Sequence, residues 1–343
     1  MSSLSASPTG KPTVAILLTP DMRAKLIPAS AEKRLAEVAN IRAPQDGELT
    51  AENLPGLLDG AVAAITGWGT PPLDEALLAR APSLKLVAHA AGSIRHLVPF
   101  TAIEDGRLRV THAAIHIGEA VSEFVIAQVL SFLRHPAGLA EGMRNNEPWF
   151  DLRTRLLGRL LGEQTVGLLG AGYIGRMMMR LFRAFDARVL VYDPYLTGSQ
   201  ARDLGVELCE LDDLLRRSDI VSLHVPSLPE TRHMIGADQL AMIKDGALFI
   251  NTARGAIVDE EALIAELRKS RFTAVLDVYE KEPLAQDSPL RTLPNAILAP
   301  HAAGHSFETY LRQGASAVDE VCRMLAGEPY RHEVTKEALA TMA

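Results

Sequence analysis

A glycine-rich turn between an apolar strand and a helix constrains the fold of this 343-residue chain more than any other feature. The run 165–169 has the composition of a buried strand, and Gly170-Ala171-Gly172-Tyr173-Ile174-Gly175 follows it directly, ahead of a helix-favouring segment. The first glycine permits a tight turn, the second lets the backbone approach a pyrophosphate, and the third lets helix and strand pack closely. The pattern predicts a dinucleotide site at the helix N-terminus; a plain glycine-rich strand–helix turn is the alternative.

A carboxylate follows the next predicted strand at the spacing that such a site requires. Asp193 comes 18 residues after Gly175, close to the roughly 20 residues typical of the acid that binds the adenosine ribose hydroxyls. A carboxylate there repels a 2′-phosphate, and Pro194 and Tyr195 follow it rather than a cation, so NAD is favoured over NADP. The alternative is a simple turn residue ahead of proline.

Short apolar runs alternate with helix-length segments along the chain, which predicts α/β architecture with parallel sheets covered by helices on both faces. Two domains are expected at this length. The segment 145–162 is expected to be irregular. Strands are predicted at 13–18, 61–65, 85–88, 165–169, 188–192, 220–224, 247–251, 273–277 and 296–298. Helices are predicted at 29–39, 73–81, 118–134, 173–185, 211–217, 239–243, 259–269 and 307–326.

Composition argues against several classes of function. Apolar residues make up 48% of the chain and charged residues 22%, which is ordinary for a globular protein. The net charge of −7 argues against a nucleic-acid or membrane-surface partner, which would favour a basic face. Cys209 and Cys322 lack metal-binding spacing, so we expect no metal site and a reduced, cytoplasmic compartment. No segment is expected to span a bilayer, and the polar N-terminus is expected to be a loose tail.

Three strand ends downstream of the glycine turn carry an arginine, a carboxylate and a histidine: Arg254, Glu282 and His301. The carboxyl ends of parallel strands meet at one edge of a sheet, so these side chains should converge. An arginine grips a carboxylate by two parallel hydrogen bonds. A histidine donates a proton near neutral pH, and a neighbouring carboxylate favours its charged form. Together they predict reduction of a 2-keto acid, whereas each alone is also consistent with a surface cation or a structural histidine.

These motifs together resemble the D-isomer-specific 2-hydroxyacid dehydrogenases. The resemblance implies a Rossmann NAD-binding domain at 116–305 and a discontinuous, flavodoxin-like substrate domain formed by 1–115 and 306–343, both doubly wound. It implies NAD as the cofactor, a small anionic 2-hydroxy or 2-keto acid of D stereochemistry as the substrate, and a homodimer. The matching segments stand in order at 166–175, 192–194, 223–226 with 229–231, 251–255 with 258–260, 276–278 with 282–283, and 300–301.

The resemblance also implies a role for each matching residue. Arg254 would bind the substrate carboxylate, and His301 would be the general acid in reduction and the base in oxidation. Glu282 would pair with His301, and Asp277 would hold the nicotinamide carboxamide. The implied cofactor contacts are Gly170, Gly172, Tyr173, Ile174, Gly175, Asp193, His224, Val225, Pro226, Thr231, Ala253, Asp277 and His301.

The N-terminal domain departs from the family pattern in the loop that is expected to bind substrate. The backbone N–H groups of Ala91, Gly92 and Ser93 are expected to face the substrate carboxylate. Arg95 and His96 stand where the family has other residues, and Arg95 either reads a distal anionic group or lies in water. These departures leave the identity of the 2-hydroxy acid open.

Two other functions remain open on the sequence. An NAD(H)-sensing binding protein, like the corepressors related to this family, would retain the same three residues, so they do not separate it from an enzyme. A dehydrogenase for an inorganic oxyanion such as phosphite fits the same fold. The formate-oxidising branch is less favoured, because it needs no proton-relay carboxylate at the position of Glu282.

Overall fold

A computed structural model describes residues 10–45, 47 and 49–339 of the chain. Backbone contacts divide the chain into two compact units, one formed by 1–117 with 306–343 and the other by 118–305. Most of the expected N-terminal tail lies outside the described residues.

The described residues alternate strands and helices throughout, as the sequence pattern predicts. The strands are β1 Thr13–Leu17, β2 Asn40–Arg42, β3 Ala61–Thr66, β4 Leu86–His89, β5 Arg109–His112, β6 Thr165–Leu169, β7 Arg188–Tyr192, β8 Glu207–Leu208, β9 Ile220–Leu223, β10 Leu248–Asn251, β11 Thr273–Leu276 and β12 Ala296–Leu298. The α-helices are α1 Pro20–Leu26, α2 Ala29–Val38, α3 Leu54–Leu58, α4 Glu75–Arg80, α5 Phe100–Glu104, α6 Ala114–Arg134, α7 Pro136–Arg144, α8 Trp149–Arg155, α9 Tyr173–Ala184, α10 Gly198–Leu204, α11 Leu211–Arg217, α12 Ala237–Met242, α13 Glu260–Leu267, α14 Phe307–Ala326 and α15 Lys336–Leu339.

The first unit is built on a five-stranded parallel sheet of order β2-β1-β3-β4-β5, which is the flavodoxin-like order. Its strands β3 and β4 are almost wholly buried because helices cover both faces of the sheet. Helix α14 returns from far along the sequence to pack against α1, α2 and β4. This approach requires Gly314, since a Cβ there would lie 1.9 Å from the Leu26 carbonyl oxygen.

The second unit is built on a seven-stranded parallel sheet of order β12-β11-β10-β9-β6-β7-β8. Strand order reverses direction between β6 and β9, the place where doubly wound sheets bind ligands at their carboxyl edge. The glycine turn leaves β6 at that point, so the topology agrees with the predicted Rossmann fold.

The structure corrects several details of the sequence prediction, and it contains three strands that were not predicted, β2, β5 and β8. Helix α6 begins at Ala114 rather than at 118. The segment expected to be irregular contains α8, Trp149–Arg155. Among the residues of α8 only Leu152 is buried, so the helix has no repeating pattern of buried apolar positions by which the sequence could predict it.

Helix α6 also corrects the expectation that no segment could span a bilayer. Its 21 residues are long and apolar enough to cross a membrane by length and composition alone. The core helix of a protein that never enters a membrane passes the same test, so a single helix of this kind is weak support for membrane insertion.

Candidate active site

The glycine turn has the geometry of a pyrophosphate cradle. Gly170 has a φ of +101°, and a Cβ there would lie 2.8 Å from the His224 carbonyl oxygen. A Cβ on Gly175 would lie 2.1 Å from the Gly170 carbonyl oxygen. Gly172 differs, since a Cβ added there would meet no atom within 4 Å. It directly precedes the 12-residue helix α9, whose N-terminus has no side-chain cap. The first N–H groups of α9 and the open space at Gly172 therefore fit the phosphates of a dinucleotide.

Asp193 links the end of β7 to the glycine turn. Its Oδ2 accepts a hydrogen bond of 2.6 Å from the Ala171 N–H, and its Oδ1 accepts one of 2.8 Å from the Tyr195 N–H. Each carboxylate oxygen has a second lone pair. The half-buried side chain can therefore brace the turn and still accept hydrogen bonds from ribose hydroxyls.

The structure brings the three predicted catalytic side chains together in the second unit. His301 Nδ1 lies 2.7 Å from Glu282 Oε2, while Glu282 Oε1 accepts a hydrogen bond of 3.1 Å from the Tyr279 N–H. Burial lowers the pKa of the Arg254 guanidinium from its ordinary value, and the nearby Glu282 carboxylate opposes that shift. Glu282 is thus hydrogen-bonded to the imidazole and electrostatically coupled to the guanidinium.

Asp277 holds the loop that carries His301, a function that sequence reasoning missed. His301 has a left-handed φ of +52°, and its N–H donates to the Asp277 carbonyl at 2.8 Å. The Asp277 carboxylate is 1% exposed and accepts hydrogen bonds from the N–H groups of Ala302 at 2.7 Å and Ala303 at 2.9 Å. A contact to the nicotinamide carboxamide therefore remains a prediction that would use its second lone pairs.

The strand end that carries Arg254 is fixed by its neighbours. Asn251 Nδ2 donates to the Arg254 carbonyl at 3.0 Å, and the Ala253 N–H donates to Asn251 Oδ1 at 3.1 Å. Gly255 allows the closest approach, since a Cβ there would lie 1.9 Å from the Tyr279 carbonyl group. The glycine after Arg254 therefore brings β10 against the loop that carries Glu282, and only its place in the motif hinted at this in the sequence.

The segment 224–231, which was predicted to pass near the cofactor, is internally braced. His224 Nε2 lies 3.0 Å from Ser222 Oγ, and burial lowers the pKa of His224 to about 4, so the ring is neutral at physiological pH. Thr231 Oγ1 donates to the Pro226 carbonyl at 2.6 Å and accepts from the Leu228 N–H at 2.8 Å. The hydroxyl of Thr231 therefore closes this loop.

The loop predicted to bind the substrate carboxylate belongs to the first unit. Ala91 and Ile94 are buried and anchor it, while Gly92 is half-buried and Ser93 is exposed. Within the described part of the chain, the N–H groups of Gly92 and Ser93 have no hydrogen-bond partner. Consecutive unpaired amides of this kind form an anion-binding concavity. The Arg95 side chain is exposed.

Comparison with known proteins agrees with this geometry. Residues 126–303 match the model of the family described as D-isomer specific 2-hydroxyacid dehydrogenase, NAD binding domain. A glyoxylate reductase of Aeropyrum pernix is 36% identical over 276 residues, covering 79% of this chain and 82% of that protein. A D-3-phosphoglycerate dehydrogenase of Methanocaldococcus jannaschii is 32% identical over 282 residues, covering 82% of this chain and 53% of that longer protein.

A solved structure resembles most of the chain, including parts of both units. The TT0316 protein of Thermus thermophilus is 30% identical, with a TM-score of 0.78 over 94% of this chain and all of that protein. The family match lies within the second unit, which carries the glycine turn, Arg254, Glu282 and His301. The chain therefore belongs to the D-isomer-specific 2-hydroxyacid dehydrogenase family and is an NAD-dependent oxidoreductase that acts on 2-hydroxy or 2-keto acids.

Proposed function

We propose that Arg254, His301 and Glu282 perform the chemistry of this dehydrogenase on a small, anionic 2-keto acid. The 2.7 Å hydrogen bond between His301 Nδ1 and Glu282 Oε2 carries the proposal. With Nδ1 engaged, Nε2 is the nitrogen that gives a proton to the keto oxygen in reduction and removes it from the hydroxyl in oxidation. NAD held at the glycine turn would supply the hydride chemistry at C2 of the substrate.

Arg254 is suited to bind the substrate carboxylate. Its guanidinium is withdrawn from solvent, and Nη1 donates to the Ala253 carbonyl at 2.6 Å, which leaves other N–H groups for a carboxylate. A desolvated cation attracts an anion more strongly than a solvated one. Glu282 reduces that attraction only in part, because its carboxylate is shared with His301.

A kinetic panel tests this function. NADH oxidation is followed with glyoxylate, hydroxypyruvate, pyruvate, phenylpyruvate and 3-phosphohydroxypyruvate, and NADPH is run beside NADH. Turnover of at least one keto acid with NADH is the expected result, and no turnover with any of them would overturn the assignment. His301→Gln should lower kcat by about 10²–10⁴-fold and leave the Kd for NADH nearly unchanged; equal losses would indicate a structural histidine.

NAD sensing without turnover is not favoured. The relatives found are named glyoxylate reductase and phosphoglycerate dehydrogenase, and both names describe enzymes. The kinetic panel also separates the two functions, because a sensor would bind NADH tightly and convert none of the keto acids.

We propose that the protein is a homodimer formed through α6, α7 and α8. Only 28% of the most apolar 18-residue stretch of α6 is buried inside the chain. Burying this surface against a second copy would remove apolar area from water. Trp149→Glu should convert the dimer to a monomer in light scattering, and a wild-type monomer would contradict the proposal. Exposed apolar side chains in α7 and α8 and in the segment that follows α8 are Met143, Trp149, Phe150, Leu157 and Leu160.

We also propose a cytoplasmic location, because both cysteines remain unpaired thiols at half-buried positions. Fractionation of cells that express the tagged protein tests this directly, and recovery in the membrane fraction would contradict it.

A further inference from the structure

A buried hydrogen bond lies beneath the 91–93 loop of the first unit. His89 ends β4 and is 6% exposed, and its Nδ1 lies 2.9 Å from Oγ1 of Thr66, which ends β3 and is fully buried. The two residues are register partners in the sheet. The Thr66 carbonyl also accepts a hydrogen bond of 2.8 Å from the Ala90 N–H. Side chain and backbone of Thr66 therefore fix the point at which the loop leaves the sheet.

The loop is held on both sides of its exposed part. The Ala91 carbonyl accepts a hydrogen bond of 2.9 Å from the Ala113 N–H, beyond the end of β5, and Ile94 is fully buried. Between these anchors stand Gly92 and Ser93, whose N–H groups have no partner in the described part of the chain. The Ser93 backbone also lies close enough to the His89 ring to act on its pKa. The ring therefore interacts both with Thr66 and with the backbone of the exposed part of the loop.

The His89 imidazole acts as a neutral hydrogen-bonding group. Burial lowers its pKa to about 4, and His112 on the neighbouring strand adds to the shift, whereas the Ser93 backbone opposes it. A ring that is neutral at physiological pH adds no positive charge beside the loop. Its Nδ1 is engaged with the Thr66 hydroxyl, so the contact that the structure shows is one that fixes the end of β4.

We propose that His89 is a positioning residue whose hydrogen bond to Thr66 holds the 91–93 loop so that the Gly92 and Ser93 amides face a substrate anion. This inference rests on the proposed function in one respect, namely that the anion is the carboxylate of the keto acid. Its physical basis is that a buried polar pair is costly to break, because one partner is then left unsatisfied.

A matched pair of variants tests the proposal. Thr66→Val removes the hydroxyl at nearly constant shape, whereas Thr66→Ser retains it. We expect the valine variant to raise the KM for the keto acid about fivefold to tenfold, with kcat and the Kd for NADH within about twofold of wild type. The serine variant should resemble wild type. His89→Asn, whose amide can still reach Thr66, should raise KM less than His89→Leu.

Hydrogen–deuterium exchange of residues 90–97 supplies a readout that needs no turnover. Exchange should be faster in the Thr66→Val protein than in the Thr66→Ser protein. Unchanged exchange in the valine variant overturns the proposal whatever the activity, and so does a KM that stays at the wild-type value when exchange accelerates. If wild-type protein reduces no keto acid, the proposed function fails, and the exchange comparison still decides whether His89 and Thr66 position the loop.

Discussion

Acid should weaken the first unit through the buried His89. Its pKa is about 4 in the folded chain, compared with an ordinary value of 6.5. Between these pH values the unfolded chain binds a proton that the folded chain does not. The contribution of His89 to the free energy of unfolding is therefore complete above pH 6.5 and is lost as the pH falls towards 4. One pKa unit corresponds to about 1.4 kcal/mol, so the loss from this group between pH 7 and pH 4 is about 3 kcal/mol. Burial also lowers the pKa of His112, which adds a loss of the same sign.

The two tryptophans allow this loss to be measured in one unit. Trp68 lies in the first unit and Trp149 in the second, so Trp149→Phe leaves fluorescence that reports on the first unit alone. Urea unfolding is measured between pH 4 and pH 7 in this background, with His89 and with His89→Gln. The glutamine protein does not titrate at this position, so its free energy of unfolding should fall by about 3 kcal/mol less over the same range. Parallel pH dependences in the two proteins would refute the argument that a buried neutral histidine destabilises the fold in acid.

Four substitutions test the candidate active site. Gly175→Ala should lower the free energy of unfolding by about 1–3 kcal/mol through overpacking. Gly172→Ala, with no atom within 4 Å of the added Cβ, should leave stability unchanged and raise the Kd for NADH about tenfold. Equal destabilisation by the two variants would contradict the assignment of this turn as a pyrophosphate cradle. Arg254→Lys keeps the charge but loses the two parallel hydrogen bonds, so kcat/KM for the keto acid should fall at least about tenfold with NADH binding retained, and unchanged kinetics would argue against carboxylate binding. Glu282→Gln removes the charge beside His301 and should lower kcat about 10²-fold in steady-state assays; a wild-type kcat would show that the carboxylate is dispensable.

Local patterns in the sequence determined the fold class and predicted the residues of the candidate site. Parallel strands that are buried on both faces must be apolar, so nine of the twelve strands in the described residues were predicted to within one or two residues. The glycine turn was predicted for a steric reason, and the structure shows two of its glycines pressed against backbone oxygens. Convergence of Arg254, Glu282 and His301 followed from the rule that parallel strands end at a common edge. Helix α8 and the short strands β2, β5 and β8 were missed because each has too few apolar residues to form a recognisable hydrophobic pattern.

Only the tertiary structure decided how these side chains are held. Asp277 was predicted as a cofactor ligand, and the structure adds that its carboxylate binds the backbone of the His301 loop, 25 and 26 residues away. Gly255 against Tyr279 and His89 against Thr66 are likewise contacts between segments far apart in sequence. Hydrogen bonds and close approaches of this kind depend on the relative placement of whole strands and loops. That placement leaves no periodic trace in the local sequence, and only the place of Gly255 in its motif hinted at one of these contacts.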